Sequence, residues 1–334
     1  MAVPVAVLGA GSFGTCLAML AARVGDVTLW AREPAVADAI NRNHRNPRYL
    51  KDAELPESIR ATSDLAEALR DREMVIVAVP SHGVRELLGT ARDHLLPEAI
   101  LVSTVKGIEP ETGYTMHRVM QDVLDASHHP HIVCLSGPSF ASEVAQGKPT
   151  VVTLAAAEEA YAISVQTTLS SPFFRCYSSA DVIGVELGGA LKNVVAIAVG
   201  TCDGLDAGMN ARAALMTRGL AEITRLGVAM GADPLTFQGL SGMGDLVLTC
   251  TGDLSRNRHV GLELGRGRTL PEILGEMNEV AEGVRTTRAA VALARKRGVE
   301  MPIAEVVQAV LDEDLGVEEA AVRLMTRQLR GELE

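Results

Sequence analysis

Gly9, Gly11 and Gly14 fall at the spacing G-x-G-x-x-G inside GAGSFG (9–14), directly after the apolar run PVAVL (4–8). In this pattern the first glycine allows a tight turn. The second lets a pyrophosphate approach the backbone, and the third lets a helix pack closely on a strand. A helix opening there would aim its free N–H groups and partial positive charge at the phosphates. The motif is informative only between a strand and a helix, and residues 4–8 and 15–23 read as that pair. The following strand, VTLW (27–30), runs into Ala31, Arg32 and Glu33. An acidic residue at this strand end would bond a ribose 2′-hydroxyl, whereas an Arg clamps a 2′-phosphate through charge-assisted bonds. Arg32 therefore favours NADPH over NADH, and its competing reading is a solvated loop cation.

Nicotinamide chemistry on a carbonyl needs a proton donor for the developing alkoxide, and two lysines are placed to serve. Lys106, in STVKG (103–107), leaves a predicted strand at its carboxyl end, where open α/β sheets bind ligands. Lys192, in GGALKNVV (188–195), interrupts a helix of otherwise small and apolar residues. A buried lone ammonium is expensive, so Lys192 must face a cavity or a partner. Burial beside another cation would lower its pKa into the useful range. The competing reading of both is a lysine snorkelling to solvent.

Asp245 follows two glycines in GMGD (242–245), on a turn from which a carboxylate can orient a lysine, and Thr249 belongs to the same cluster. Ser255, Arg256 and Asn257 offer an N-cap, a guanidinium and an amide before a helix, a set that can hold a phosphate or form a plain capped helix. His82 is a weaker candidate at a strand end. His128, His129 and His131 lie in a polar loop without matched acidic or Cys ligands, and no metal is expected.

The elements that must position these groups are legible as apolar runs. Strands are predicted at 4–8, 27–30, 74–79, 99–105, 131–135 and 150–155, alternating with helical patterns, with Ser63 capping a short helix over 63–69. Residues 41–56 read as a polar excursion. Continuous Val/Ile runs suit strands buried on both faces, and alternation with helices implies a parallel sheet. After about residue 179 only helices are predicted, over 180–200, 211–230, 269–277, 286–297, 303–311 and 318–330. The expected architecture is an α/β Rossmann N-terminal domain over 1–179 and an all-α C-terminal domain over 180–334, the boundary near 173–180.

A length of 334 residues suits two domains. With 3% aromatics the cores must be aliphatic, and a formal charge of −11 argues against a nucleic-acid partner. The five cysteines form no C-x-x-C pair and read as free thiols of a reducing compartment. The opening MAVPVAVLGAG lacks the features of a signal peptide, and no run of about 18 apolar residues forms a membrane span. A cytoplasmic location follows. The Ala-rich helices are of a kind that packs between subunits, which points to a homodimer.

Together these segments resemble bacterial-type NAD(P)+-dependent glycerol-3-phosphate dehydrogenases over essentially the whole chain. The resemblance rests on GAGSFG (9–14), STVKGIE (103–109), LSGPSFASEV (135–144), ELGGALKNVVAIA (186–198), GLSGMGDLVLTC (239–250), SRNR (255–258) and AEGVRT (281–286). It implies a C-terminal domain like that of 6-phosphogluconate dehydrogenase. The implied activity is reduction of dihydroxyacetone phosphate to sn-glycerol 3-phosphate with NAD(P)H, feeding glycerophospholipid synthesis. It implies Lys192 as proton donor and Lys106 as a contact to both cofactor and substrate. Gly137, Ser139, Asp245, Ser255, Arg256 and Asn257 would surround the glycerol phosphate, Arg256 also reaching the cofactor. Ser12, Phe13, Arg32, Tyr49, Ala141, Val280 and Glu282 match cofactor positions. Glu33 stands where the family often has a second basic residue or His, and Ala281 where it commonly has Val. The alternatives are a related 3-hydroxyacid-type dehydrogenase, which would recognise a carboxylate, and a non-catalytic dinucleotide sensor, which would not need Lys106, Lys192 and Asp245 together.

Overall fold

Short Val-, Ile- and Leu-rich runs, each stopped by Gly, Pro or a polar residue, build one eight-stranded sheet. The computed structural model describes residues 3–277, 279–329 and 331–332. Its first half runs β1 (Val5–Leu8), α1 (Ser12–Ala21), β2 (Val27–Trp30), α2 (Pro34–Asn43), β3 (Ile59–Thr62), α3 (Leu65–Leu69), β4 (Met74–Val77), α4 (Val84–Ala91), β5 (Ile100–Ser103), α5 (Met116–Val123), β6 (Ile132–Ser136), α6 (Ala141–Ala145), β7 (Thr150–Ala156), α7 (Glu159–Leu169) and β8 (Phe174–Ser179). The strand order is β3-β2-β1-β4-β5-β6-β7-β8. β1 pairs in parallel with β2 on one side and β4 on the other, Val5 opposing both Val27 and Met74. The winding reverses between β1 and β4, so the crevice beyond their carboxyl ends is the topological switch point where such sheets bind ligands.

Alternation along the central strands feeds both faces. Val5, Val7, Met74 and Ile76 pack with Leu17 of α1 and Val165 of α7. Ala6, Leu8, Val75 and Val77 pack with Leu88 of α4 and Met120 of α5. Strands buried on both faces have no polar side, which is why they read as continuous apolar runs.

Three features differ from the sequence expectations. The sheet is not wholly parallel: β7 runs antiparallel to β6, because their connection holds only the five-residue α6, too short to span the sheet face as a crossover helix. The edge strands β3 and β8 are additional. Each alternates buried and exposed residues, as in Phe174, Arg175, Cys176 and Tyr177, and so lacks the run that marks a central strand. The cap of α3 is Asp64, which accepts from the Glu67 N–H at 3.0 Å, and not Ser63, which lies one residue too early.

From residue 182 onward the described residues form helices only: α8 (Val182–Gly204), α9 (Gly208–Ala229), α10 (Asp245–Thr251), α11 (Arg256–Gly265), α12 (Leu270–Glu276), α13 (Glu282–Arg297), α14 (Pro302–Leu311) and α15 (Val317–Met325). The last ends earlier than the predicted 318–330, and Arg330 lies outside the described residues. α8 is apolar nearly all round, the mark of a helix enclosed on every side. By length and a mean hydropathy of 1.7 it would suffice to cross a membrane, yet 94% of that window is buried within the protein. Small residues bring α11 against it: a Cβ on Gly261 would lie 2.0 Å from the Ile197 carbonyl oxygen.

Candidate active site

The fingerprint loop joins β1 to α1, with Gly9 at φ +121°. An added Cβ at Gly11 meets nothing within 4 Å, so its backbone is open to a ligand, whereas one at Gly14 would meet the Gly9 carbonyl oxygen at 1.9 Å. This is the cradle a dinucleotide's phosphates require, and these residues fit that cofactor. Asn46, in the polar excursion, is fully buried and ties that segment to the loop, its amide donating to the Ala10 carbonyl and the Thr15 hydroxyl, both at 2.9 Å. Its Oδ1 accepts from the Tyr49 N–H at 3.0 Å. Arg32 is exposed beyond β2, while Glu33 is paired with Arg48. Phe13 packs partly against the core.

The lysine pair forms where the sheet meets α8. Lys106 extends from the loop after β5 and donates to the Gly137 carbonyl at 3.0 Å and to Asp245 Oδ2 at 2.7 Å. Lys192, midway along α8, lies 2.9 Å from Asp245 Oδ1 and donates to Thr249 Oγ1 at 2.6 Å. The three side chains are 18%, 8% and 2% exposed in the order Lys106, Lys192, Asp245. α8 can approach so closely because Gly189 has no side chain: a Cβ there would stand 2.4 Å from Ser136 Oγ and 3.5 Å from Lys106 Cγ. Asp245 opens α10 directly after a π-helical turn over Leu240–Gly244, a local irregularity often found at functional sites. Burial pushes the Lys192 ammonium from its ordinary 10.5 down to about 8. Asp245 opposes that shift and Lys106 adds to it.

Ser255 caps α11, its Oγ accepting from the Arg258 N–H at 3.2 Å. Asn257 donates to Asn193 Oδ1 at 2.9 Å and accepts from the Gly283 N–H at 2.9 Å, so it joins α11, α8 and α13 next to Lys192. Arg256 is half exposed and reaches Glu279 at 3.0 Å. Glu279 also accepts from Ser12 Oγ at 2.5 Å, bridging the fingerprint helix and Arg256. Glu282 accepts from the Ser81 N–H at 2.9 Å, fastening α13 to the loop after β4, and Val280 lies half-buried in the same connection. Ser139 turns back on the Gly137 carbonyl at 3.0 Å, and Ala141 opens α6. Among the described residues no group of three or more His, Cys, Asp and Glu is placed to hold a metal.

The sequence reading thus names both lysines and Asp245, which the fold brings onto one carboxylate. It did not single out Asn46 or Glu279. Thr249, grouped with Asp245 in the sequence, follows it by four residues, one helical turn, on the same face.

The sequence model for the NAD-dependent glycerol-3-phosphate dehydrogenase N-terminus matches residues 4–162, and that for the C-terminus matches 181–322. The chain is 54% identical to the glycerol-3-phosphate dehydrogenase [NAD(P)+] of Myxococcus xanthus over 98% of both chains, and 54% identical to that of Citrifermentans bemidjiense over 99% of both. A crystal structure of glycerol-3-phosphate dehydrogenase from Coxiella burnetii superposes with a TM-score of 0.92 at 38% identity, covering 97% of this chain and 99% of that one. These matches run along nearly the full chain, and this chain belongs to the NAD-dependent glycerol-3-phosphate dehydrogenase family.

Proposed function

We propose that the protein reduces dihydroxyacetone phosphate to sn-glycerol 3-phosphate with NADPH or NADH, the product serving glycerophospholipid synthesis. The observation that carries this reading is the pair of ammonium groups meeting on Asp245 at the mouth of the crevice. When bound, the nicotinamide supplies the hydride, and position and charge come from the protein. Gly9, Gly11, Ser12, Phe13 and Gly14 hold the dinucleotide phosphates, with Tyr49, Ala141, Val280 and Glu282 around the rest of the cofactor. Lys192 gives its proton to the substrate carbonyl oxygen. Asp245 holds it in place, and Lys106 contacts cofactor and substrate together. Gly137, Ser139, Ser255, Arg256 and Asn257 surround the glycerol phosphate. Glu33 is neutralised by Arg48, which leaves Arg32 for a 2′-phosphate and favours NADPH.

The direct test follows the loss of reduced-nicotinamide absorbance with dihydroxyacetone phosphate against 3-hydroxyacids, for each cofactor. Turnover confined to the hydroxyacids overturns the substrate, and tight NADPH binding without turnover revives the sensor reading. Arg256→Ala should raise the KM for dihydroxyacetone phosphate roughly 10- to 10²-fold, the worth of a charge-assisted bond. An unchanged KM removes Arg256 from the phosphate site.

Division of the chain near residue 179 is supported by the end of β8 at Ser179 and the start of α8 at Val182. A homodimer is supported by a largely apolar cleft of ≈ 1160 Å³ between α8, α9, α14 and α15, flanked by exposed Val228 and Met325. A reducing, cytoplasmic setting is supported by five cysteines that are all buried and unpaired.

A further inference from the structure

Glu186 is a buried carboxylate with no place in the chemistry above. It lies on α8 six residues before Lys192, a rise of about 9 Å along the axis. Its Oε1 accepts the backbone N–H of His117 at 2.7 Å. His117 is the second residue of α5, and the N-cap residue Thr115 makes no side-chain cap of its own. The first N–H groups of a helix need outside acceptors, and Glu186 supplies one from the helical half of the chain. The Thr115 hydroxyl and the Cys134 thiol also face the carboxylate.

The strand-to-helix connection that ends at Thr115 is the one that carries Lys106. It is folded back on itself: Ile108 bridges Thr115, and the Glu109 N–H bonds the Tyr114 carbonyl at 2.9 Å. Lys106 is thus two residues from a backbone bridge to Thr115, and Glu186 grips the chain two residues beyond that bridge. Between Glu186 and Lys192 on α8, a Cβ added to Gly189 would stand 3.5 Å from Lys106 Cγ, so α8 passes close beside that side chain.

We propose that Glu186 is a positioning residue for the reaction: by capping α5 it locks the Lys106 loop to the helix carrying Lys192, so that both ammonium groups meet on Asp245. The inference rests on the assignment of the two lysines as the reacting centre. Burial pushes Glu186 up to about 7, while Thr115 and the His117 N–H pull it down. An apolar side chain would carry no such desolvation cost, and retention of a costly buried carboxylate here fits a role in placement.

The test compares Glu186→Ala, Glu186→Gln and Glu186→Asp in the full chain. For each, kcat, the substrate KM, the NADPH dissociation constant by fluorescence and amide hydrogen exchange across residues 115–120 are measured. Loss of the acceptor in the Ala variant should speed exchange at His117 and lower kcat on the order of 10²-fold, the effect of a misplacement of about 1 Å, with NADPH affinity falling far less than kcat. Gln keeps an acceptor at the same reach and should restore most of the turnover. Asp keeps the carboxyl group but retracts the acceptor by one methylene, and should remain impaired. If the Ala variant does not fold, the contrast between Gln and Asp decides. Faster exchange with wild-type kcat overturns the proposal, as does a parallel loss of kcat and NADPH binding that Gln does not rescue. Lys192→Ala serves as control: if it keeps its turnover, the reading of the lysines fails and not the cap.

Discussion

Replacing Lys192 with Ala should lower kcat in the reducing direction by at least about 10²-fold, the low end of what a positioned general acid contributes, while NADPH affinity changes little. The side chain is buried against Asp245 and Thr249, so the lesion is local to the proton. The pH dependence gives a second signature. Lys192 must carry its proton to act as an acid, and burial sets that proton's loss at about pH 8. Reduction should therefore be flat below that pH and fall above it. Oxidation of glycerol 3-phosphate, which needs the neutral amine, should rise through the same range. The Ala variant should show neither limb. Turnover near the wild-type rate, or an unchanged pH profile, refutes the role.

Asp245→Asn should be at least as damaging. The carboxylate is nearly fully buried and receives both ammonium groups, at 2.7 and 2.9 Å. Removing its charge leaves the buried Lys192 and the partly buried Lys106 without their counter-ion, a change that costs about 3–5 kcal/mol when the survivors stay charged. The cheaper outcome is that Lys192 gives up its proton. Of the forces on that group, burial and Lys106 press its pKa down, and Asp245 is the leading upward influence, with Cys250 a lesser one. In the variant the alkaline fall in reduction should move well below pH 8, and kcat near neutrality should drop by about 10²- to 10⁴-fold. A limb that stays at pH 8 would show that Asp245 does not set the acid's strength.

Much of this site could be read from the chain alone, for identifiable reasons. A lysine inside a long apolar helix advertises a buried cation, and Lys192 was visible on that ground. The glycine spacing after PVAVL announces a phosphate cradle because few other demands on a backbone need those three positions. Asp245 was visible only as an acid after glycines. Nothing in the sequence says that a π-turn will aim it between two lysines from different halves of the chain. The bonds of Glu279 to Ser12 and of Glu282 to Ser81 were hidden for a similar reason, since each spans some 200 residues or more. Edge strands escaped because one face is wet: Arg175 and Tyr177 break the apolar run that made β1 and β4 plain. The turn from β6 into an antiparallel β7 escaped because strand direction depends on what the connection can span, and composition does not record it.

The contact of Glu279 with Ser12 and Arg256 has a consequence for how anions enter. The place where α1 begins is already served by a carboxylate, and the Arg256 guanidinium is held by the same group. A phosphate arriving there does not fill a bare positive spot; it trades places with a tethered negative charge. Association is then an exchange, with its electrostatic gain set by the difference between incoming and outgoing anion. Small free anions, bearing no more charge than the tethered one, gain little by the swap, so the entrance discriminates in favour of ligands that bring several charges at once.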